Sequence, residues 1–265
     1  MISKVHIPAP PLSQFVASLW YYCDYTPLTA VEKMLPTAGT GMVINLAEDR
    51  FTVEDESYRG AIWAGLFTKP FLLATPQQSH TLGVSLQPGG AFPLLGLPAS
   101  EISNQHLALE DLWGQKARCL RERLLTAGSP ESMFDIVEKF LLDLLYRSAG
   151  RHPAVTYALA ELSHTVPQRT VADIGASTGF SNSRFTSLFR EQVGVTPKIY
   201  SRLCRFRKAL DLIAATSQPD WAQLALDCGY YDQPHFVHEF RDFAGLTPSV
   251  YAKLRGPHMN HVPLR

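Results

Sequence analysis

The sequence predicts an α+β chain in two parts. The first is a β-rich, barrel- or sandwich-like region with flanking helices. The second is all-α: two helix-turn-helix units joined by a long helix. Three observations carry this reading. Short apolar segments in the front of the chain are punctuated by Gly, Pro, Asp and Ser about every ten residues, a spacing that suits strands. After residue 98, apolar residues recur at three- and four-residue steps, the period of helices. The third is a degenerate repeat near the end. One copy reads IGASTGFSNSRFTSLFREQVGVTPKIY (Ile174 to Tyr200), the other LALDCGYYDQPHFVHEFRDFAGLTPSVY (Leu224 to Tyr251).

The β-rich part is expected over 1–97. Its strands are TGMVINLA (40–47), FTVED (51–55), AIWAGLF (61–67), PFLLAT (70–75) and HTLGVSLQ (80–87). Val43, Ile44, Leu46, Ile62, Trp63, Leu66, Leu82, Val84 and Leu86 are expected to fill one closed or nearly closed interior. LQPGGAF (86–92) reads as a tight turn, since glycine takes positive φ without steric cost. Helices follow over 98–148: a short one after Pro98, one from Gly114 to Ala127, and one from Pro130 to Arg147. The last carries Phe134, Val137, Phe140, Leu141, Leu144 and Leu145 on one stripe, either core or the seam of a homodimer. Gly150 and Pro153 interrupt the pattern. The boundaries are therefore 1–150 for a sensor or dimerisation domain, 151–256 for the repeat-bearing domain, and 257–265 for a tail.

In the back half, His152 to Thr165 reads as a helix. Thr170 caps a helix over 171–177, Gly179 turns, and Ser181 caps a helix ending at Gly194. Pro197 opens a spacer helix of about 20 residues, roughly 30 Å. Asp220, Gly229, Asp232, Gly245 and Pro248 repeat this punctuation. The two copies share Phe185/Phe236, Phe189/Phe240, Arg190/Arg241 and the GxTPxxY ending, with one residue inserted after Tyr230.

Composition limits what this can be. The 265 residues suit two domains, and 46% hydrophobic with 18% charged residues is ordinary for a soluble globular protein. Net charge is zero, but residues 1–150 carry 11 Lys/Arg against 15 Asp/Glu, and 151–265 carry 13 against 9. An acidic front joined to a basic back suits a sensor joined to a nucleic-acid reader. Cys23, Cys119, Cys204 and Cys228 form no CxxC pair, which argues against a zinc module or a disulfide framework. FVASLWYY is too short for a signal-peptide core, and no run nears the roughly 18 apolar residues of a membrane span. A cytoplasmic protein without a membrane partner is expected.

The chemistry sits on the second helix of each unit. Its paired phenylalanines are four residues apart and should bury on one face. The opposite faces present Asn182, Ser183, Thr186 and Ser187, and Gln233, Val237 and His238. Such side chains read base edges and thymine methyls in the major groove of double-stranded DNA. Arg190 and Arg241, with Arg202 and Arg205 on the spacer, suit phosphate. His235 reads as packing or capping, and Trp221 as core.

The repeat resembles the DNA-binding domain of the AraC/XylS transcription regulators. The motifs that carry the likeness are GFSNSRFTSLFREQVGVTPKIY (179–200) and ALDCGYYDQPHFVHEFRDFAGLTPSVY (225–251), and it covers about residues 150–255. The resemblance implies transcriptional regulation, with RNA polymerase as a further partner. Gly175 stands where the family usually has alanine, which would loosen the first unit. Ser183 and Ser187 are smaller than many family reading residues. The front half resembles the N-terminal region of a subset of these regulators on PPLSQFVASLWYY (10–22), LPTAGTGMVINLA (35–47), LQPGGAFPLLGLPASEI (86–102) and LEDLWG (109–114). That leaves open a small-molecule effector, a homodimer contact, or both.

Two rival readings remain open. His6, His80 and His106 could hold a metal in a cupin-like enzyme domain fused to the reader, but no HxH or HxxxH spacing supports this. The front half could instead serve only to dimerise. The expectation is a non-enzyme, with no cofactor and no metal.

Overall fold

A computed structural model describes residues 2–24, 29–54, 56–75, 79–145, 150–163, 169–256 and 258–264. Its β part consists of two antiparallel sheets packed face to face. Strands β1 (Ile2–His6), β2 (Val16–Cys23), β4 (Gly41–Asn45), β7 (Ala61–Ala64), β9 (His80–Leu86) and β10 (His106–Ala108) form one, in the order β1-β2-β9-β4-β7-β10. Strands β3 (Val31–Met34), β5 (Arg50–Val53), β6 (Glu56–Arg59), β8 (Phe71–Ala74) and β11 (His261–Leu264) form the other, ordered β11-β3-β8-β5-β6. Both sheets keep open edges. The arrangement is the sandwich alternative and not a closed barrel.

The expected single interior is corrected for a simple reason. Successive strand residues point to opposite faces, so Val43 and Ile44, or Ile62 and Trp63, cannot share one. Ile44, Leu46, Trp63, Leu82, Val84 and Leu86 face a layer of helices. Val43 and Ile62 face the second sheet, against Val53, Leu73 and Phe71. Leu66 joins the core of the helical half.

The helix layer comprises α1 (Ala91–Leu95), α2 (Leu109–Trp113), α3 (Gln115–Leu125) and α4 (Pro130–Leu145). The α4 stripe is core of this chain: Phe134, Val137 and Leu141 are buried, and Phe140, Leu144 and Leu145 pack on the same cluster. In LQPGGAF only Gly89 takes positive φ (71°), while Gly90 caps α1, a helix the sequence reading missed. The expected ends at 146–147 and 164–165 lie outside the described residues.

The three front-half histidines lie apart, each in its own setting. His6 pairs with Glu138 at 2.8 Å and stacks on Phe134. His80 Nε2 sits 2.9 Å from the Tyr21 hydroxyl. His106 packs between Phe67 and Phe71, each ring centroid 4.6 Å away. Among the described residues, no cluster of three or more metal-ligating side chains occurs.

Burial pushes the His106 pKa down to about 4, against a smaller opposing pull from Glu56. The unfolded chain therefore binds more protons between pH 6.5 and 4, and acidification through that window destabilises the fold. A shift of this size is worth up to about 3 kcal/mol, and partial exposure trims it to about 2. His106→Leu should lose about 2 kcal/mol less than the parent between pH 7 and 4.5, read from urea melts at both values. Equal losses in the two proteins would show that His106 is not the titrating group.

The back half holds α5 (Pro153–Leu162), α6 (Val171–Ser177), α7 (Asn182–Val193), α8 (Pro197–Ala214), α9 (Trp221–Asp227), α10 (Gln233–Ala244) and α11 (Pro248–Leu254). One core runs through it and takes in Leu35, Ala38 and Leu66 from the front half. Polar bonds tie the halves as well. Ser103 Oγ donates to the Gly194 carbonyl at 2.6 Å, and Arg151 donates to the Pro88 carbonyl at 2.6 Å.

The segment read as a tail carries β11, which pairs with β3 from Val31 to Met34. There His261 meets the buried Glu32 carboxylate at 2.6 Å, and Val262 is fully buried.

Candidate nucleic-acid interface

Each unit is built by local signals. Thr170 and Asp173 form a reciprocal cap on α6. The Thr170 hydroxyl accepts the Asp173 N–H at 3.2 Å, and the Asp173 carboxylate accepts the Thr170 N–H at 3.1 Å. The turns before the second helices use positive φ at Gly179 (75°) and Gly229 (78°). Ser181 Oγ accepts the Arg184 N–H at 3.3 Å and starts α7; the Asp232 carboxylate accepts the His235 N–H at 2.8 Å and starts α10. Both helices stop at left-handed glycines, Gly194 (102°) and Gly245 (66°).

Phe185 and Phe189 are fully buried in the first unit, as are Phe236 and Phe240 in the second. This fixes which faces look outward. Asn182, Ser183, Ser187 and Arg190 are exposed on α7, with Thr186 half-buried. On α10, Gln233, His238 and Arg241 are exposed and Val237 is half-buried. Arg190 and Arg241 make no ion pair with the described residues.

Gly175 does not leave a void. A Cβ there would lie 2.9 Å from Phe185, so the ring of α7 sits directly on the α6 backbone. The second unit has the buried Ala225 at this place.

The spacer α8 has 18 residues, about 27 Å at the usual rise. Leu203, Phe206, Ala209, Leu210 and Ile213 are buried along it. Phe206 packs against Phe240 and Phe243, with centroids 5.0 and 5.2 Å away. Arg202 and Arg205 do not stand free for phosphate. Arg202 bonds Glu239 at 2.7 Å and Asp242 at 3.1 Å; Arg205 bonds both Glu239 oxygens at 3.0 and 3.1 Å. The Glu239 side chain is 4% exposed. Two arginines one turn apart on α8 thus hold two carboxylates one turn apart on α10.

The repeat contained this signal. Glu239 occupies the slot of Leu188 in the first copy, which is buried and apolar. A carboxylate in an apolar slot asks for a cation from a neighbouring helix. The sequence reading also passed over Tyr231, the inserted residue. Its side chain is 87% exposed at the start of α10. His235 is exposed too, and its ring accepts the Tyr231 N–H at 3.5 Å.

A family model described as a helix-turn-helix domain matches residues 178–254, from the turn after α6 to the end of α11. The back half carries a helix-turn-helix DNA-binding domain. A second model, described as a domain of unknown function (DUF6597), matches residues 4–108 and stops short of the helix-turn-helix match. Over 199 residues the chain is 24% identical to the HTH-type transcriptional regulator ArgR of Pseudomonas aeruginosa, covering 73% of this chain and 57% of that one. Over 88 residues it is 33% identical to the probable transcriptional regulator LumQ of Photobacterium leiognathi, covering 33% and 35%. The matches thus span between a third and just over half of these relatives. ToxT from Vibrio cholerae has a solved structure with a TM-score of 0.46 at 12% identity, covering 95% of this chain and 97% of that chain. Among the described residues, no helix is long and apolar enough to cross a membrane.

Proposed function

We propose that this protein is a sequence-specific transcriptional regulator that reads two adjacent major-groove segments of double-stranded DNA with α7 and α10. The observation that carries the reading is the pair of like-capped helices with polar outer faces on one packed spacer. Its length of about 27 Å approaches the roughly 34 Å of one B-DNA turn. Asn182, Ser183, Thr186, Ser187, Gln233, Val237 and His238 are the base readers, and Arg190 and Arg241 the phosphate contacts. Arg202 and Arg205 brace α10 through Glu239 and Asp242.

Selection of bound sequences from random duplex DNA by the purified protein tests this. Arg190→Ala and Arg241→Ala should weaken binding to all sequences, each lowering the log–log salt slope by about one. Gln233→Ala should instead relax preference at a particular base pair, by roughly 1–3 kcal/mol. An unchanged selected motif for Gln233→Ala would remove that face from the reading.

An effector is proposed for the cavity of about 470 Å³ beside the six-stranded sheet. Small residues on that sheet, Ser18, Gly41, Ala64 and Ser85, leave room, and Trp20, Met34 and Phe71 supply apolar wall. Arg207, on the spacer, is the one charged lining residue among those described, and Met259 and Asn260 also reach in. A ligand there touches both halves, so it can favour one arrangement of the reader over another. Thermal-shift screening of the full chain, then DNA titration with each hit, checks this. A stabilising hit blocked by Trp20→Ala that leaves DNA affinity unchanged would argue against a sensor.

A further inference from the structure

The groove between the β5–β6 hairpin and helices α2–α3 is lined by four arginines: Arg50, Arg59, Arg118 and Arg121. It has a volume of about 460 Å³ and is built wholly from residues 49–122, outside the DNA-binding unit. Arg50 and Arg59 are direct cross-strand partners, so their side chains share one face. Like charges placed this way destabilise a hairpin unless something lies between them. Ser57, two residues before Arg59, shares that face and adds a hydroxyl.

The far wall is rigid. Arg121 donates to the Asn45 carbonyl at 3.1 Å, the Glu48 carbonyl at 2.8 Å and the Asp49 carboxylate at 2.8 Å. Its side chain lies across Gly60, where a Cβ would come within 2.4 Å of Nε. Of the other three guanidiniums, Arg118 already donates through Nε to Gln115 Oε1 at 3.0 Å, and Glu122 adds a carboxylate to the lining. Arg59 and Arg118 share the single carboxylate of Glu110, at 4.0 and 3.7 Å, beyond hydrogen-bond reach. Arg50 has no ion pair among the described residues. Asp49 is committed to Arg121.

We infer that this groove binds a small anion bearing phosphate or carboxylate groups. Guanidinium forks match both groups through paired N–H donors. The volume suits a metabolite-sized molecule. This site is chemically unlike the cavity proposed for an effector, whose wall is apolar, and it stands whether or not that cavity is filled.

The test uses the full chain with inorganic pyrophosphate and with citrate, by titration calorimetry at ionic strength held constant with NaCl. Saturable binding of at least one probe, near one per chain, is expected. Arg50→Gln and Arg59→Gln should each weaken it by roughly tenfold, the size of a lost charge-assisted hydrogen bond. Both side chains are exposed, so these variants should melt like the parent without ligand. Arg190→Ala with Arg241→Ala controls for anions on the DNA face and should bind like the parent. Pyrophosphate alone binding points to a phosphate ligand, citrate alone to a carboxylate, and both to their shared chemistry. No saturable binding of either probe overturns the inference. So does binding that survives Arg50→Gln and Arg59→Gln or vanishes with Arg190→Ala and Arg241→Ala.

Discussion

Glu239→Ala should cost about 3 kcal/mol of stability and abolish recognition by the second unit. The substitution removes a carboxylate that both Arg202 and Arg205 grip and that is 4% exposed. Arg205 would then sit partly buried without a carboxylate, and Arg202 would keep only Asp242. Breaking a buried pair by deleting one partner typically costs about 3–5 kcal/mol, because a desolvated charge is left without compensation. Arg202 and Arg205 keep some water, with 31% and 21% of their side chains exposed. That places the expectation at the lower end. Replacing the whole arrangement is a different matter. Glu239→Leu combined with Arg205→Met imitates the apolar slot of the first unit and leaves Arg202 with Asp242. It should recover most of the loss, since well-packed apolar substitutes for buried pairs are often neutral. Urea denaturation and a DNA footprint read both effects. A cost below about 1 kcal/mol for Glu239→Ala would show that the bracket is decorative.

Phe206→Ala should lower stability by about 3–5 kcal/mol, the range for removing a fully buried aromatic side chain. Phe206 is on the spacer but belongs to the second unit's core, against Phe240 and Phe243. Its loss opens a cavity between α8 and α10, so the footprint should shorten on the second unit's side first. Phe185→Ala, in the first unit, should shorten the opposite side. Identical footprints from the two variants would mean that the units do not read separate segments.

The helical half was legible because its signals are local. A capping residue, a turn glycine, a stop glycine and a first-turn proline each act within a few residues, and the repeat states them twice. Thr170, Ser181, Asp220 and Asp232 all cap where expected. The sheets were less legible because pairing partners are distant and a strand's apolar content does not say which face is which. Val43 and Ile44 are equally apolar, and only alternation separates them. Strands β1, β6, β10 and β11 escaped at the sheet edges, where exposed residues such as Lys4 weaken the pattern, and β2 and β3 escaped although they lie inside their sheets. On α7 and α10, the exposed polar residues were visible from helical spacing. The engagement of Arg202 and Arg205 was not, since it depends on where α10 lies against α8.

The pairing of β11 with β3 constrains how the protein is made. Glu32 and His261 are separated by 229 positions, and the whole helical half is synthesised between them. Until then the β3 edge lacks its partner, Glu32 lacks its histidine, and Leu35 lacks the Asn260 carbonyl that accepts its N–H at 2.8 Å. Domains generally fold in order as they leave the ribosome, but this sheet waits for the reader to be finished. A chain interrupted anywhere in the helical half keeps an unpaired edge strand, the kind of surface that recruits other chains. The stitch therefore couples quality control of the two halves: a front half without its reader is a candidate for aggregation or degradation, not a free-standing sensor.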